Sequence, residues 1–141
     1  QDNQSSSSYG VIRGLHYQLP PHAQSKLVRV NRGKILDVVV DIRKGSPTFG
    51  KVFCKVLSAK NKRAIFIPKG FAHGFSVLSK RADVIYKCDA FYNKQSEAGI
   101  IYNDAELQID WQLPPEEVII SDKDRELPSF AQCQNSFEYA D

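Results

Sequence analysis

Cysteine is scarce in this chain and methionine is missing altogether. The 141 residues hold only Cys54, Cys88 and Cys133, an odd set with no Cys-x-x-Cys spacing. That excludes a disulfide framework and a zinc knuckle and suits a reducing cytosol, so a cytoplasmic protein is expected. There is no His-x-His pair. His16 and His22 are six residues apart, and His73 follows fifty-one later. A metal site on a jelly roll draws on a close histidine pair and a carboxylate, so no metal is expected. No apolar run approaches membrane-spanning length, and no signal-peptide pattern opens the chain. Neither sign of charge dominates. Nineteen basic against sixteen acidic residues leave +3, too mild for nucleic-acid binding but compatible with a local basic pocket for a phosphorylated ligand. The chain opens with Gln1-Asp2-Asn3-Gln4 rather than Met. A natural N-terminal segment is therefore expected to precede it.

What is present is ordinary for one globular domain over residues 1–141, with 42% hydrophobic and 25% charged residues. The dominant local pattern has period two. Leu36, Val38, Val40 and Ile42 alternate with Ile35, Asp37, Val39 and Asp41, a strand whose second face mixes apolar residues with carboxylates. Val52-Cys54-Val56 and Val84-Tyr86-Cys88 mark further strands, and Ala64 to Ile67 is a short apolar run stopped by Pro68. Turn signals recur at Asn31-Arg32-Gly33, Lys44-Gly45-Ser46-Pro47, Ala59-Lys60-Asn61-Lys62 and Pro68-Lys69-Gly70. Many short strands at this spacing predict an all-β antiparallel sandwich or barrel, with a jelly roll preferred. Helical starts are expected only late, at Pro115-Glu116-Glu117 and Ser121-Asp122-Lys123-Asp124. The run Ser5 to Ser8 is expected to be a flexible loop.

Chemistry concentrates near Arg13-Gly14-Leu15-His16-Tyr17-Gln18 and Lys26-Leu27-Val28-Arg29. There, basic groups alternate with apolar residues, so a sheet would point them into one cavity. His16 is a candidate base, and neighbouring Arg13 and Lys26 would favour its neutral form. His73 lies between Phe71 and Phe75, which are expected to be buried, and reads either as a core residue or as a pocket-lining one. His22 follows Pro20-Pro21 and reads as an exposed loop residue. Tyr86 is a core tyrosine or a proton donor into the cavity. Tyr92 is a structural aromatic or a platform for a flat base.

Beyond these residues, longer motifs carry a resemblance. Gly14-Leu15-His16-Tyr17-Gln18, Lys26-Leu27-Val28-Arg29, Asp37-Val38-Val39-Val40-Asp41-Ile42-Arg43, Ser46-Pro47-Thr48-Phe49-Gly50 and Ile67-Pro68-Lys69-Gly70-Phe71-Ala72-His73-Gly74-Phe75 resemble the dTDP-4-dehydrorhamnose 3,5-epimerases. Tyr86-Lys87, Tyr102-Asn103-Asp104 and Ser121-Asp122-Lys123-Asp124 extend the match. The resemblance implies a cupin-type jelly-roll homodimer, an isomerase that inverts C3 and C5 of a dTDP-linked 4-keto-6-deoxy sugar without a cofactor. Position by position it implies that His16 is the base, Asp124 the carboxylate orienting it, Lys26 the cation beside the 4-keto oxygen and Tyr86 the acid on the opposite face. It implies ligand contacts at Gln1, Asn3, Arg13, His73, Glu97 and Lys123, and thymine stacking on Tyr92. Two prolines usual in the family are replaced here, by Ala105 and Gln112.

The residue types suit the chemistry. A proton next to a ketone becomes removable when the enolate oxygen is stabilised. A positioned base supplies roughly 10²–10⁴-fold and each oxyanion donor roughly 10²–10³-fold. Rival readings are a 3-epimerase or 3,4-ketoisomerase acting on a related nucleotide sugar, and a carbohydrate-binding jelly roll without activity. Binding alone gives no reason to collect His16, Asp124, Lys26 and Tyr86.

Overall fold

The computed structural model describes residues 1–140, so Asp141, the last residue of the expected domain, lies outside the described residues. The strands are β1 (Asp2–Ser8), β2 (Ile12–Gln18), β3 (Lys26–Arg32), β4 (Lys34–Asp41), β5 (Val52–Ser58), β6 (Ala64–Ile67), β7 (Phe71–Val77), β8 (Arg81–Cys88) and β9 (Glu97–Gly99). They form two antiparallel sheets, ordered β1-β8-β3-β6 and β5-β4-β7-β2-β9. The nested pairs β1–β8, β2–β7, β3–β6 and β4–β5 are those of a jelly roll, as expected. Both late helical starts are present and brief. Pro115–Glu117 is a single 3-10 turn, and α1 (Asp122–Arg125) begins at its cap Ser121.

Strand β4 accounts for the two-faced pattern in the sequence. Ile35 and Val39 pack between the sheets with Val28, Val84, Phe75 and Val77. Leu36, Val38 and Val40 face the other way, into a second cluster with Trp111, Phe130 and Phe137 from the C-terminal segment. Covering the outer face lets one strand be apolar on both sides. Each fully buried Val, Leu or Ile there contributes about 1.5–3 kcal/mol relative to an exposed one.

Ser5 to Ser8 do not form the expected loop. They complete β1, in register with Val84 to Arg81 of β8. Serine carries no strong strand preference, so pairing with β8 decides the conformation. The alternation survives in polar form. Ser6 and Ser8 face solvent, whereas buried Ser7 accepts the Arg13 Nε–H at 3.1 Å. Phe71 also departs from expectation. It is half-buried, its ring covered by the Arg43 guanidinium at 4.6 Å, while Phe75 is buried.

That guanidinium belongs to a buried network around Asp41. The carboxylate accepts from Arg43 Nε at 3.0 Å, Ser46 Oγ at 2.6 Å and Thr48 Oγ1 at 2.6 Å. Burial pushes the Asp41 carboxyl up, but these donors outweigh it and hold the group well below the usual carboxylate range. A depressed native pKa stabilises the fold above about pH 4, and that stability is lost as pH falls through the native value. Asp41→Asn is therefore expected to lower stability by about 2–4 kcal/mol at pH 7. Urea titrations should show the gap to the parent narrowing below about pH 4.

Candidate active site

The site is built at one end of the space between the sheets. On β2 the pairing register with β7 shifts between Arg13 and His16. Gly14 permits that shift. Its φ is +122°, and a Cβ there would lie 2.7 Å from the Gly74 Cα. The bare Gly14 N–H donates to Asp124 Oδ2 at 3.0 Å. Asp124 is carried by α1, where its own N–H donates to Ser121 Oγ at 3.2 Å.

The other oxygen of Asp124 lies 2.6 Å from His16 Nε2. Burial pushes the Asp124 carboxyl up. The hydrogen bond and charge of His16, with the Gly14 N–H, more than offset this and leave it below the usual range. An ionised carboxylate only accepts, so Nε2–H donates and a neutral His16 keeps its free lone pair on Nδ1.

His73 occupies the position paired with His16 across β2 and β7. It is buried, and its Nε2 lies 2.7 Å from Oδ1 of fully buried Asp37 on β4. The core reading and the pocket reading of His73 therefore both describe it. Asp37 was not singled out as a site residue from the sequence. Its signal was a carboxylate at an inward position of an apolar strand, and its Oδ2 has no hydrogen-bond partner.

The four-stranded sheet supplies the facing wall. Tyr86 pairs with Asn3, and Lys26 with Cys88. The Lys26 ammonium lies 5.9 Å from the Tyr86 ring centroid. Burial pushes the Lys26 pKa down, while Cys88, Asp37 and Glu97 favour its charged form. Burial also pushes the Tyr86 phenol up, with Cys88 adding to the shift and Arg13 opposing it. The phenol therefore holds its proton at neutral pH.

These walls enclose a cavity of about 370 Å³ lined by Gln1, Asn3, His16, Lys26, Tyr86, Tyr92 and Glu97, among others. An adjoining hollow of about 170 Å³ shares His16, Lys26 and Tyr86 and adds Arg13, His73 and Ser5. At the rim, the exposed Tyr92 hydroxyl donates to Glu97 at 2.5 Å, and Lys123 Nζ donates to the same carboxylate at 2.7 Å. Burial pushes Glu97 up, but these two donors prevail and leave it below the usual range. All the candidate residues thus gather at one end, Asp124 behind His16 and Lys123 at the rim. His22 is exposed, as expected. Among the described residues, no group of three or more His, Cys, Asp or Glu side chains is placed to hold a metal ion.

A cupin-type jelly roll whose open end collects a carboxylate-oriented imidazole, a half-buried lysine and a protonated phenol defines a class of acid–base isomerases. The particular family follows from comparison with known proteins. The family model for dTDP-4-dehydrorhamnose 3,5-epimerase matches residues 1–132, and this chain belongs to that family. A dTDP-4-dehydrorhamnose 3,5-epimerase from Shigella flexneri is 56% identical over 124 residues, covering 88% of this chain and 67% of that protein. The crystal structure of an enzyme of the same name from Elizabethkingia anophelis superposes with a TM-score of 0.92 at 53% identity, covering 93% of this chain and 72% of that one. A dTDP-6-deoxy-D-glucose-3,5-epimerase from Legionella pneumophila, in complex with dTDP-4-keto-L-rhamnose, superposes with a TM-score of 0.90 at 52% identity. That match covers 94% of this chain and 69% of the Legionella chain.

Proposed function

We propose that this protein epimerises C3 and C5 of dTDP-4-dehydro-6-deoxy-D-glucose, giving dTDP-4-dehydro-L-rhamnose, with no cofactor. The observation that carries the reading is the placement of His16, backed by ionised Asp124, on one wall, and of Lys26 and Tyr86 on the other. Nδ1 of His16 removes the proton next to the ketone. The C–H electron pair becomes the enolate, whose oxygen is held by the Lys26 ammonium. Tyr86 then delivers its phenolic proton to the opposite face of the carbon, inverting it; by way of the cavity Tyr86 regains a proton from solvent and His16 releases to solvent the one it took. The cycle repeats at the second carbon. Gln1, Asn3, Arg13, Glu97 and Lys123 hold the nucleotide sugar, with the base on Tyr92.

The reading extends to one domain over residues 1–141 and a homodimer in the cytoplasm. Among the described residues no helix is long and apolar enough to cross a membrane. The test is proton exchange on dTDP-4-keto-6-deoxyglucose in D₂O, followed by NMR. Deuterium is expected at both C3 and C5. Deuterium at C3 alone would convert the reading to a 3-epimerase, and no exchange at either carbon would overturn it.

A further inference from the structure

We infer that Gln18 and Gln24 are positioning residues that set nucleotide affinity by holding the loop that carries Tyr92. This rests on the assignment of Tyr92 as the base platform. The loop follows β8, and Ala90, Phe91 and Tyr92 make no backbone–backbone hydrogen bond among the described residues. Glutamine side chains take that place. Gln24 Nε2 donates to the Ala90 carbonyl at 2.9 Å, and Gln18 Nε2 to the Phe91 carbonyl at 3.3 Å. The Tyr92 N–H donates to Gln1 Oε1 at 2.9 Å, and the Asn93 N–H to Gln18 Oε1 at 3.0 Å. Four successive residues, 90 to 93, are thus each pinned through the backbone by a glutamine amide.

Gln18 is the centre of the arrangement. It ends β2 two residues after His16 and is only 4% exposed. Its Nε2 also donates to the His22 carbonyl at 2.7 Å, tying the loop after β2 to the loop after β8. One amide therefore makes three hydrogen bonds to backbone groups of both loops, nearly its full capacity. Tyr92 is half-exposed, and its ring is placed by the loop backbone at one end and by the hydroxyl bond to Glu97 at the other. If the loop samples other conformations, the apparent affinity falls by the fraction of time it spends in the competent one. Chemistry at His16, Lys26 and Tyr86 draws on β2, β3 and β8 and does not need the loop held.

The experiment compares Gln18→Leu, similar in size without the hydrogen bonds, with the parent full chain, using dTDP itself as the binding probe. The Kd for dTDP and the KM for the sugar nucleotide are expected to rise together by about tenfold or more, with kcat kept within about threefold. Gln18→Glu keeps an acceptor for the Asn93 N–H and should recover part of the loss. A merely structural role would lower thermal stability and kcat without this split, and unchanged dTDP binding would overturn the inference. If Gln18→Leu does not fold, half-buried Gln24→Met carries the same test, and an unchanged Kd there overturns the inference equally. A parent protein that does not bind dTDP would instead sink the base-platform reading, so the two failures are distinguishable.

Discussion

His16→Ala is expected to lower kcat by at least about 10³-fold while dTDP affinity stays within about threefold of the parent. The first half follows from the proton inventory. Tyr86 is kept protonated by burial, and at Lys26 the downward push of burial is opposed by Cys88, Asp37 and Glu97, which favour its charged form. His73 is committed to Asp37. His16 lines both the main cavity and the adjoining hollow and presents its Nδ1 lone pair there, because Asp124 takes the proton of Nε2, whereas buried His73 lines only the smaller hollow. The second half follows from distance within the site. Tyr92, Glu97 and Lys123 form their own hydrogen-bonded rim and do not depend on the imidazole.

Alanine also strips buried Asp124 of its partner, so the variant should lose stability as well as activity. The native pKa of Asp124 is depressed, so its pairing stabilises the fold above about pH 4, and the penalty should fade in acid. His16→Asn separates the two effects, since its amide restores a donor to Asp124 without restoring a base. A steady-state assay beside a dTDP titration reads the result. Turnover within tenfold of the parent in both variants would remove His16 from the role of base.

The residues differ in how openly the sequence displayed them. Strands β4 and β8 were legible because alternation is a local property and most of their buried residues are apolar. Strand β1 was not, since Asn3, Ser5 and Ser7 alternate with equally polar neighbours and their pairing partner lies far along the chain. His16 and Lys26 stood out by type. Asp124 is 108 positions from His16, and no spacing rule joins them. It entered through family resemblance, and the structure supplies its physical context in the Gly14 N–H and the turn of α1. Gln18 and Gln24 stayed hidden for a different reason. Their partners are backbone groups of a loop, and such partners leave no mark in the amino-acid pattern.

Tyr86→Phe should divide the reaction into its halves. Removing the phenolic oxygen leaves ring volume and strand pairing in place, so the fold should change little. The base, its carboxylate and the oxyanion cation remain, so deuterium should still wash into substrate from D₂O, with a rate within about tenfold of the parent. Net inversion should fall by roughly 10²–10³-fold, because the enolate then recovers its proton from His16 on the face it left. That return regenerates the starting configuration, and exchange without epimerisation is its signature. Proton return from the far face requires a phenol that carries its proton, and burial keeps it protonated through neutral and mildly alkaline pH. Exchange and inversion measured on one NMR sample distinguish the outcomes. If both rates collapse together, Tyr86 serves proton removal rather than return. If neither changes, the proton on the far face comes from another group, and the facing-wall arrangement of His16 and Tyr86 is not what sets the stereochemistry.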